Sequence, residues 1–241
     1  MVVVTESVNR IAVAMLVRYP DGSGARALVE GLDEPAATAL RTAILLDTIE
    51  AALAPGWPLR LFVAPSAQID AVRARLAADP AIGPLMDRIC LHPQVDGDTG
   101  VRMGDAVART LLAGHRVAVL VGADVPDLPP TALRAAAQGI AANPGMVSLA
   151  IGPCGDGGIY LAATGEAAAF RTACAGMSWG HADVLANMQA RMKAAGHRVQ
   201  LVTSWHDVDS RDDLAALCRR AALSGRAPRT RGVAATLPAV Q

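Results

Sequence analysis

Short, continuous apolar runs separated by longer stretches of helical spacing set the pattern of this chain. The runs at Arg10–Val17, Leu59–Ala64, Ile89–His92, Val117–Val121, Met146–Ile151, Ile159–Ala163 and Val199–Ser204 show little polar alternation, as expected of strands buried on both faces of a parallel sheet. Between them, Pro35–Ala54 predicts a strong helix with Pro35 near its first turn and an apolar face at Leu40, Ile44, Leu45 and Ile49. Further helices are predicted at Ser66–Ala78 with Ser66 as N-cap, at Thr99–Ala113 closed by Gly114, and at Pro130–Ala142. Two more follow at His181–Ala195, ended by Gly196, and at Ser210–Leu223, opened by a capping-box-like Ser210-Arg211-Asp212-Asp213. Arg18–Leu32 reads as a Gly-containing loop. Strands alternating with helices of this length mean βαβ crossovers, so the expected class is α/β, with a mostly parallel sheet flanked by helices. One domain is expected over residues 1–224. From residue 225 to 241 Gly, Pro, Arg and Thr dominate without periodicity, which predicts a disordered tail.

Composition narrows the partners. Aromatic residues are only 3% of a chain that is 52% hydrophobic, a balance that suits helices packed closely on a sheet better than a β-sandwich. Lys+Arg and Asp+Glu are both 22, so no net charge draws the chain to nucleic acid. Lys193 is the only lysine. Arginine's planar fork favours phosphate contacts, although a GC-rich gene accounts for the bias equally well. Cys90, Cys154, Cys174 and Cys218 are scattered without a CxxC pair, which fits free thiols in a reducing compartment. With no apolar run of ~18 residues and no signal-peptide pattern at the N-terminus, the expectation is a cytoplasmic protein with no membrane span. A homodimer is left open.

Chemistry-bearing residues fall at strand ends. The run Val117–Val121 ends in Gly122 and delivers Asp124 to the C-terminal edge of a central strand, where open α/β sheets bind ligands. A carboxylate on that stiff, proline-flanked loop suits a divalent metal shared with substrate phosphates; a turn or capping role suits it equally. The loop after the first strand offers Arg18, Gly22, Gly24 and Arg26 to a phosphate, but matches neither GxxxxGK[ST] nor GxGxxG. In Gln94–Met103, Gln94 can read a base edge and Arg102 can reach a phosphate, while Asp98 or Thr99 can simply cap the helix. Asp156-Gly157-Gly158 is a hairpin signal that also places an Asp at the same sheet edge. Asp207 and Asp209 stand at i, i+2 and either can be a second metal ligand; Asp209 can equally cap the next helix. Trp179, between Gly176 and Gly180, can be core or a stacking wall for a sugar or base.

Taken in order, these segments resemble a bacterial family of glycosyltransferase-A-type (GT-A) proteins, often labelled arsenosugar-biosynthesis-like glycosyltransferases. That family's pattern runs KxPxPGxxKTRL, LxxDT, QxxGDLGxRM, GxDxPxL, GPxxDGGYYLxGL, a Trp-centred loop and DVDTxxDL. The corresponding segments here are RYPDGSGARAL from Arg18, LLDT at Leu45–Thr48, QVDGDTGVRM at Gln94–Met103, GADVPDL at Gly122–Leu128, GPCGDGGIYLAA at Gly152–Ala163, MSWGHADVL at Met177–Leu185 and DVDSRDDL at Asp207–Leu214. The resemblance implies a nucleotide-diphospho-sugar transferase fold and a metal-dependent glycosyl or nucleotidyl transferase. Its partners would be a nucleotide or nucleotide-sugar donor and a small-molecule acceptor. It also implies site roles. Asp124, with Asp209, would hold Mg²⁺ or Mn²⁺, and Arg18, Gly22, Arg26, Gln94, Gly97, Asp98 and Arg102 would surround the nucleotide. Asp156, Gly157, Gly158 and Trp179 would face the acceptor, and Asp124 and Asp156 would be the catalytic pair. The chain departs from the pattern where KTRL has become Ala25-Arg26-Ala27-Leu28. That loss of phosphate-facing cations supports an alternative, a non-catalytic GT-A-like binding or scaffold protein.

Overall fold

The computed structural model describes residues 10–19 and 26–238. Seven strands are found among them: β1 (Ile11–Arg18), β2 (Leu59–Ala64), β3 (Ile89–Pro93), β4 (Val117–Val121), β5 (Leu149–Pro153), β6 (Ile159–Thr164) and β7 (Val199–Leu201). They form one sheet in the order β3-β2-β1-β4-β6-β5-β7. β1 pairs in parallel with β2 and β4, while β6 runs antiparallel to both β4 and β5. The expected mostly parallel α/β sheet is therefore present, with one reversed strand. Asp156-Gly157-Gly158 lies in the hairpin that reverses it, so the strands on either side bring their ends to the same edge.

The aliphatic runs predict the middle of the sheet well. Ala12, Val13, Ala14 and Met15 of β1 are fully buried, and every residue of β4 is buried. One face is covered by α2 (Glu34–Leu53), α3 (Ile69–Ala77) and α5 (Pro130–Ala142), through Leu46, Ile49, Leu76, Leu133 and Ala136. The other is covered by α4 (Thr99–Leu112), α6 (Ala167–Cys174) and α7 (Val184–Ala194), through Met103, Val107, Phe170, Met188 and Met192. A third apolar cluster joins α2 to the short α1 (Arg26–Val29) and to α8 (Arg211–Ser224), with Val208 between them. The clusters act through apolar area removed from water, about 25 cal/mol per Å².

Five expectations are corrected. Ser66 does not cap a helix: Ser66–Gln68 forms a 3₁₀ turn without a side-chain cap, and the α-helix starts at Ile69. Residues 146–148 precede the strand that starts at Leu149, and the helix expected from His181 begins at Val184. The loop expected over Arg18–Leu32 contains α1, whose Leu28 is drawn into the third cluster. The tail is not disordered over 225–238, because it folds into α9 (Pro228–Ala234). Arg229 there pairs with Asp47 at 2.8 Å and Asp79 at 2.7 Å, and Thr230 donates to Asp47 through both its backbone N–H and its hydroxyl, each at 2.7 Å. Composition fails to register this because the stabilising partners lie more than a hundred residues away. Among the described residues no helix is long and apolar enough to cross a membrane.

Candidate functional site

Three segments are fastened together at the C-terminal edge of the sheet. The loop after β4 is held to β6 by Gly122 N–H donating to Tyr160 O at 3.0 Å, and to the segment before α8 by Val208 N–H donating to Asp124 O at 3.0 Å. That segment is tied to the β5–β6 hairpin, where Trp205 N–H donates to Pro153 O at 3.0 Å. Asp127, only 2% exposed, locks the arrangement: Arg220 grips it with bonds of 2.7 and 3.1 Å, and Trp205 Nε1 donates to it at 3.1 Å. Gly157 is required where the hairpin meets the turn before α7, since its φ is +89° and a Cβ would overlap the Ala182 carbonyl. Gly100 likewise leaves room for the Trp179 indole, whose Nε1 would lie 3.3 Å from a Cβ there.

The cleft these segments border has a volume of about 550 Å³. Its carboxylates are Asp124, Asp156, Asp207 and Asp209, and none of the four forms an ion pair among the described residues. Burial, then the charges of Asp209, Asp207 and Asp156, push the Asp124 carboxyl up to about 7. Asp207 is raised by burial and by Asp156, against a bond from the Cys154 thiol at 3.3 Å. Asp209 is raised by burial, Asp207, Asp213 and Asp156. Mutual repulsion of this kind makes a cluster favourable to a cation. Its donors are carboxylate oxygens, the set that hard divalent ions take. The neighbouring Cys154 stays a neutral thiol, its ionisation opposed by burial and by Asp207. The same cleft is also lined by three arginines, Arg18 at the end of β1, Arg41 of α2 and Arg102 in the first turns of α4.

The profile of a bacterial family described as "uncharacterized protein conserved in bacteria" (DUF2064) matches residues 46–181. The chain belongs to that family. A solved structure from Desulfovibrio desulfuricans G20, assigned provisionally as a nucleotide-diphospho-sugar transferase, is 26% identical over 94% of this chain and 93% of its own, with a TM-score of 0.78. The chain has the nucleotide-diphospho-sugar transferase fold. A cytidylyltransferase from Leptospira borgpetersenii serovar Hardjo-bovis (8% identical, 97% and 100% covered, TM-score 0.53) shares the fold alone. So does a CMP:2-keto-3-deoxy-manno-octonic acid synthetase complexed with CTP (12%, 90% and 99%, 0.51). No curated protein matches the sequence.

The matched span of the DUF2064 profile includes Gln94, Arg102, Asp124, Asp156 and Trp179, and leaves out Arg18, Arg41, Asp207 and Asp209. Of the residues expected at the nucleotide, Arg18, Gln94 and Arg102 line the cleft, while Gly97 and Asp98 do not. Asp98 caps α4 by accepting from Val101 N–H at 2.9 Å. Gly22 and the Arg26 side chain lie outside the described residues. Gln94 spends its amide N–H groups on Val17 O and Phe62 O, at 3.0 and 2.7 Å, joining the ends of β1 and β2 and leaving only its oxygen for a ligand. Arg102 Nε has no partner among the described residues. Of the residues expected at the acceptor, Asp156, Gly158 and Trp179 line the cleft and Gly157 does not, and Asp156 Oδ1 accepts from Gly158 N–H at 2.8 Å, leaving Oδ2 for a ligand. Capping of α8 falls to Ser210 in a full capping box, so the Asp209 carboxylate is not consumed by it. Sequence reasoning missed Asp127, whose sole signal was its place in GADVPDL, and Arg41, which sits on a helix face like any surface arginine.

Proposed function

We propose that this chain is a transferase that takes a nucleotide-activated donor and passes its glycosyl or nucleotidyl group to a hydroxyl of a small acceptor. The observation that supports this reading is that one cleft is lined both by carboxylates with no ion pair among the described residues and by arginines. A diphosphate bound there would meet positive charge from the arginines and a cation shared with the carboxylates.

Asp124 with Asp209, and Asp207 beside them, would hold Mg²⁺ or Mn²⁺; the fit rests on unpaired, mutually repelling carboxylates of which Asp124 titrates near 7. Bound there, such an ion would neutralise charge building on the leaving diphosphate. Arg18 and Arg102 would hold the diphosphate oxygens, Arg102 from the electropositive N-terminal turns of α4. The Gln94 oxygen would accept from the base or ribose. Trp179 would supply an apolar wall, and the free Oδ2 of Asp156 would accept the acceptor's hydroxyl proton as that oxygen bonds to the donor and the bond to the leaving diphosphate breaks.

The test is a thermal-shift panel of nucleoside di- and triphosphates and nucleotide sugars with Mn²⁺. At a hundred times Kd the matching donor should stabilise the fold by about 2.7 kcal/mol. Release of nucleoside diphosphate from the matching sugar donor would assign glycosyl transfer; release of pyrophosphate from a triphosphate would assign nucleotidyl transfer. Folded protein that responds to none of them sinks the reading.

A further inference from the structure

Asp156 keeps one carboxylate oxygen free, and the surface beside it has few polar groups left to give. The backbone of the β5–β6 hairpin is spent on its own neighbours. Gly158 N–H donates to Asp156 Oδ1 at 2.8 Å, Cys154 N–H to Gly158 O at 3.0 Å, and Leu185 N–H to Gly157 O at 3.0 Å. The Tyr160 hydroxyl donates to Thr203 O at 2.7 Å.

The side chains that follow are apolar. Ile159 opens β6, and with Trp179 it is half-buried against the cluster that α4, α6 and α7 build on the sheet. Val184, the first residue of α7, is buried in that cluster, and all three line the cleft. The bond from Leu185 to Gly157 carries the start of α7 to the Asp156 turn. Nε1, the one polar atom of the Trp179 side chain, is buried without a partner among the described residues, close to where Gly100 lacks a Cβ. The exposed part of the indole is therefore carbon. Thr99 and His181 also line the cleft, but both are exposed, so a polar group beside them keeps its water and gains little.

We propose that the acceptor carries its reactive hydroxyl on an aromatic or aliphatic body, which rests on Ile159, Trp179 and Val184 while Asp156 takes the hydroxyl. The inference rests on the nucleotide-donor reading and names the class of acceptor that it leaves open. A sugar or other polyol laid on this wall gives up water at several hydroxyls and finds a partner for one. Each hydroxyl left without a partner weakens binding by roughly 10-fold or more. A single hydroxyl on a carbon skeleton avoids that loss and gains from the apolar area it buries.

Calorimetric titrations of the full chain with Mn²⁺ test it, at saturation with whichever of UDP, CDP, GDP and ADP binds best. 4-Methylumbelliferone and 2-phenylethanol present a hydroxyl on an apolar body; glycerol and glucose present it on a polar one. Ile159→Thr puts a hydroxyl into the wall, with Ile159→Ala in reserve should that disturb folding, and Ile159→Leu keeps the wall apolar. The expected result is that the apolar-bodied alcohols bind the parent at least 10-fold more tightly than the polyols. Ile159→Thr should weaken them by roughly 10-fold, Ile159→Leu by far less, and neither should alter the affinity for the nucleotide. Polyols bound as tightly as the apolar-bodied alcohols overturn the proposal, as does a nucleotide-bound parent that takes none of the four. Unaltered alcohol binding in folded Ile159→Thr or Ile159→Ala also overturns it, and so does a loss that falls on the nucleotide, which gives the wall to the base. In each of those cases the donor reading survives; a parent that binds no nucleoside diphosphate sinks the donor reading and this inference together.

Discussion

Asp124 and Asp127 lie three residues apart on one loop, and their surroundings are opposite. Asp127 receives a two-point grip from Arg220 and a bond from Trp205. Asp47 and Asp79, elsewhere in the fold, are neutralised in the same way by Arg229. Asp124, with Asp156, Asp207 and Asp209, faces a cleft and like charges. Carboxylates among the described residues thus come in two kinds, buried and ion-paired or cleft-facing without an ion pair. The paired ones hold helices α8 and α9 to the body of the fold, and the unpaired ones are kept together by backbone bonds against their own repulsion. Such repulsion is tolerated where a ligand relieves it, and strain of this type concentrates at functional sites.

The comparison can be pressed hardest at Arg229. Arg229→Ala leaves Asp47 and Asp79 buried without their cation, and the expected loss is about 3–5 kcal/mol of stability, read as a lower urea midpoint. The same variant should leave Mn²⁺ affinity at the cleft within about twofold, because the paired group is separate from the unpaired one; a large change in affinity would erase the distinction. The two kinds should also differ in pH response. Burial works against the charge on Asp79, but bonds from Arg229 and from the N–H groups of Ala81 and Ile82 outweigh it and hold the carboxyl below its ordinary value. Its stabilisation is therefore present at neutral pH and lost as pH falls below the usual carboxylate range. Asp124, raised from 3.8 to about 7, behaves in reverse. Its protonated form favours the fold below pH 4, and that contribution is gone once pH passes 7. Asp124→Asn should consequently gain on the parent by roughly 2–3 kcal/mol between pH 5 and pH 8, in urea melts without metal, and saturating Mn²⁺ should restore the parent's standing at pH 8. A flat difference across that interval would mean the repulsion is not there. The smallest effect is expected at Trp205→Phe, which removes one bond to Asp127 while Arg220 keeps its grip. About 1 kcal/mol of stability should go, with donor affinity falling only as far as the Asp207–Asp209 segment loosens.

Legibility in the sequence follows the range of the forces involved. β1, β2 and β4 could be read because an aliphatic run buried on both faces is its own signal, and Asp124 could be read because it follows such a run through a glycine. The capping box at Ser210 and the hairpin at Asp156-Gly157-Gly158 are equally local and were equally visible. α9 was not, since a short Pro- and Arg-containing segment becomes helical here through Asp47, Glu50 and Asp79. α6 escaped as a short alanine-rich stretch whose Phe170 finds its place only against α4 and α7. The site divides in the same way. Carboxylates at strand ends announce themselves, whereas Arg41 is recognised as a cleft residue only once α2 is in place, its Leu40 and Ile44 in one apolar cluster with Val208. Gln94 was noticed as a ligand-facing amide, and its bracing of β1 against β2 required knowing that Val17 O and Phe62 O converge on it.

The central claim is that the unpaired carboxylates around Asp124 await a divalent cation. The most direct measurement is a titration of Mn²⁺ by electron paramagnetic resonance, following the free-ion signal as protein is added at pH 8, with and without a nucleoside diphosphate. The account predicts one ion taken up per chain, more tightly with the nucleotide present, and uptake abolished in Asp124→Asn while the variant remains folded. Free Mn²⁺ undiminished by the folded parent chain, with nucleotide at saturation, would contradict it.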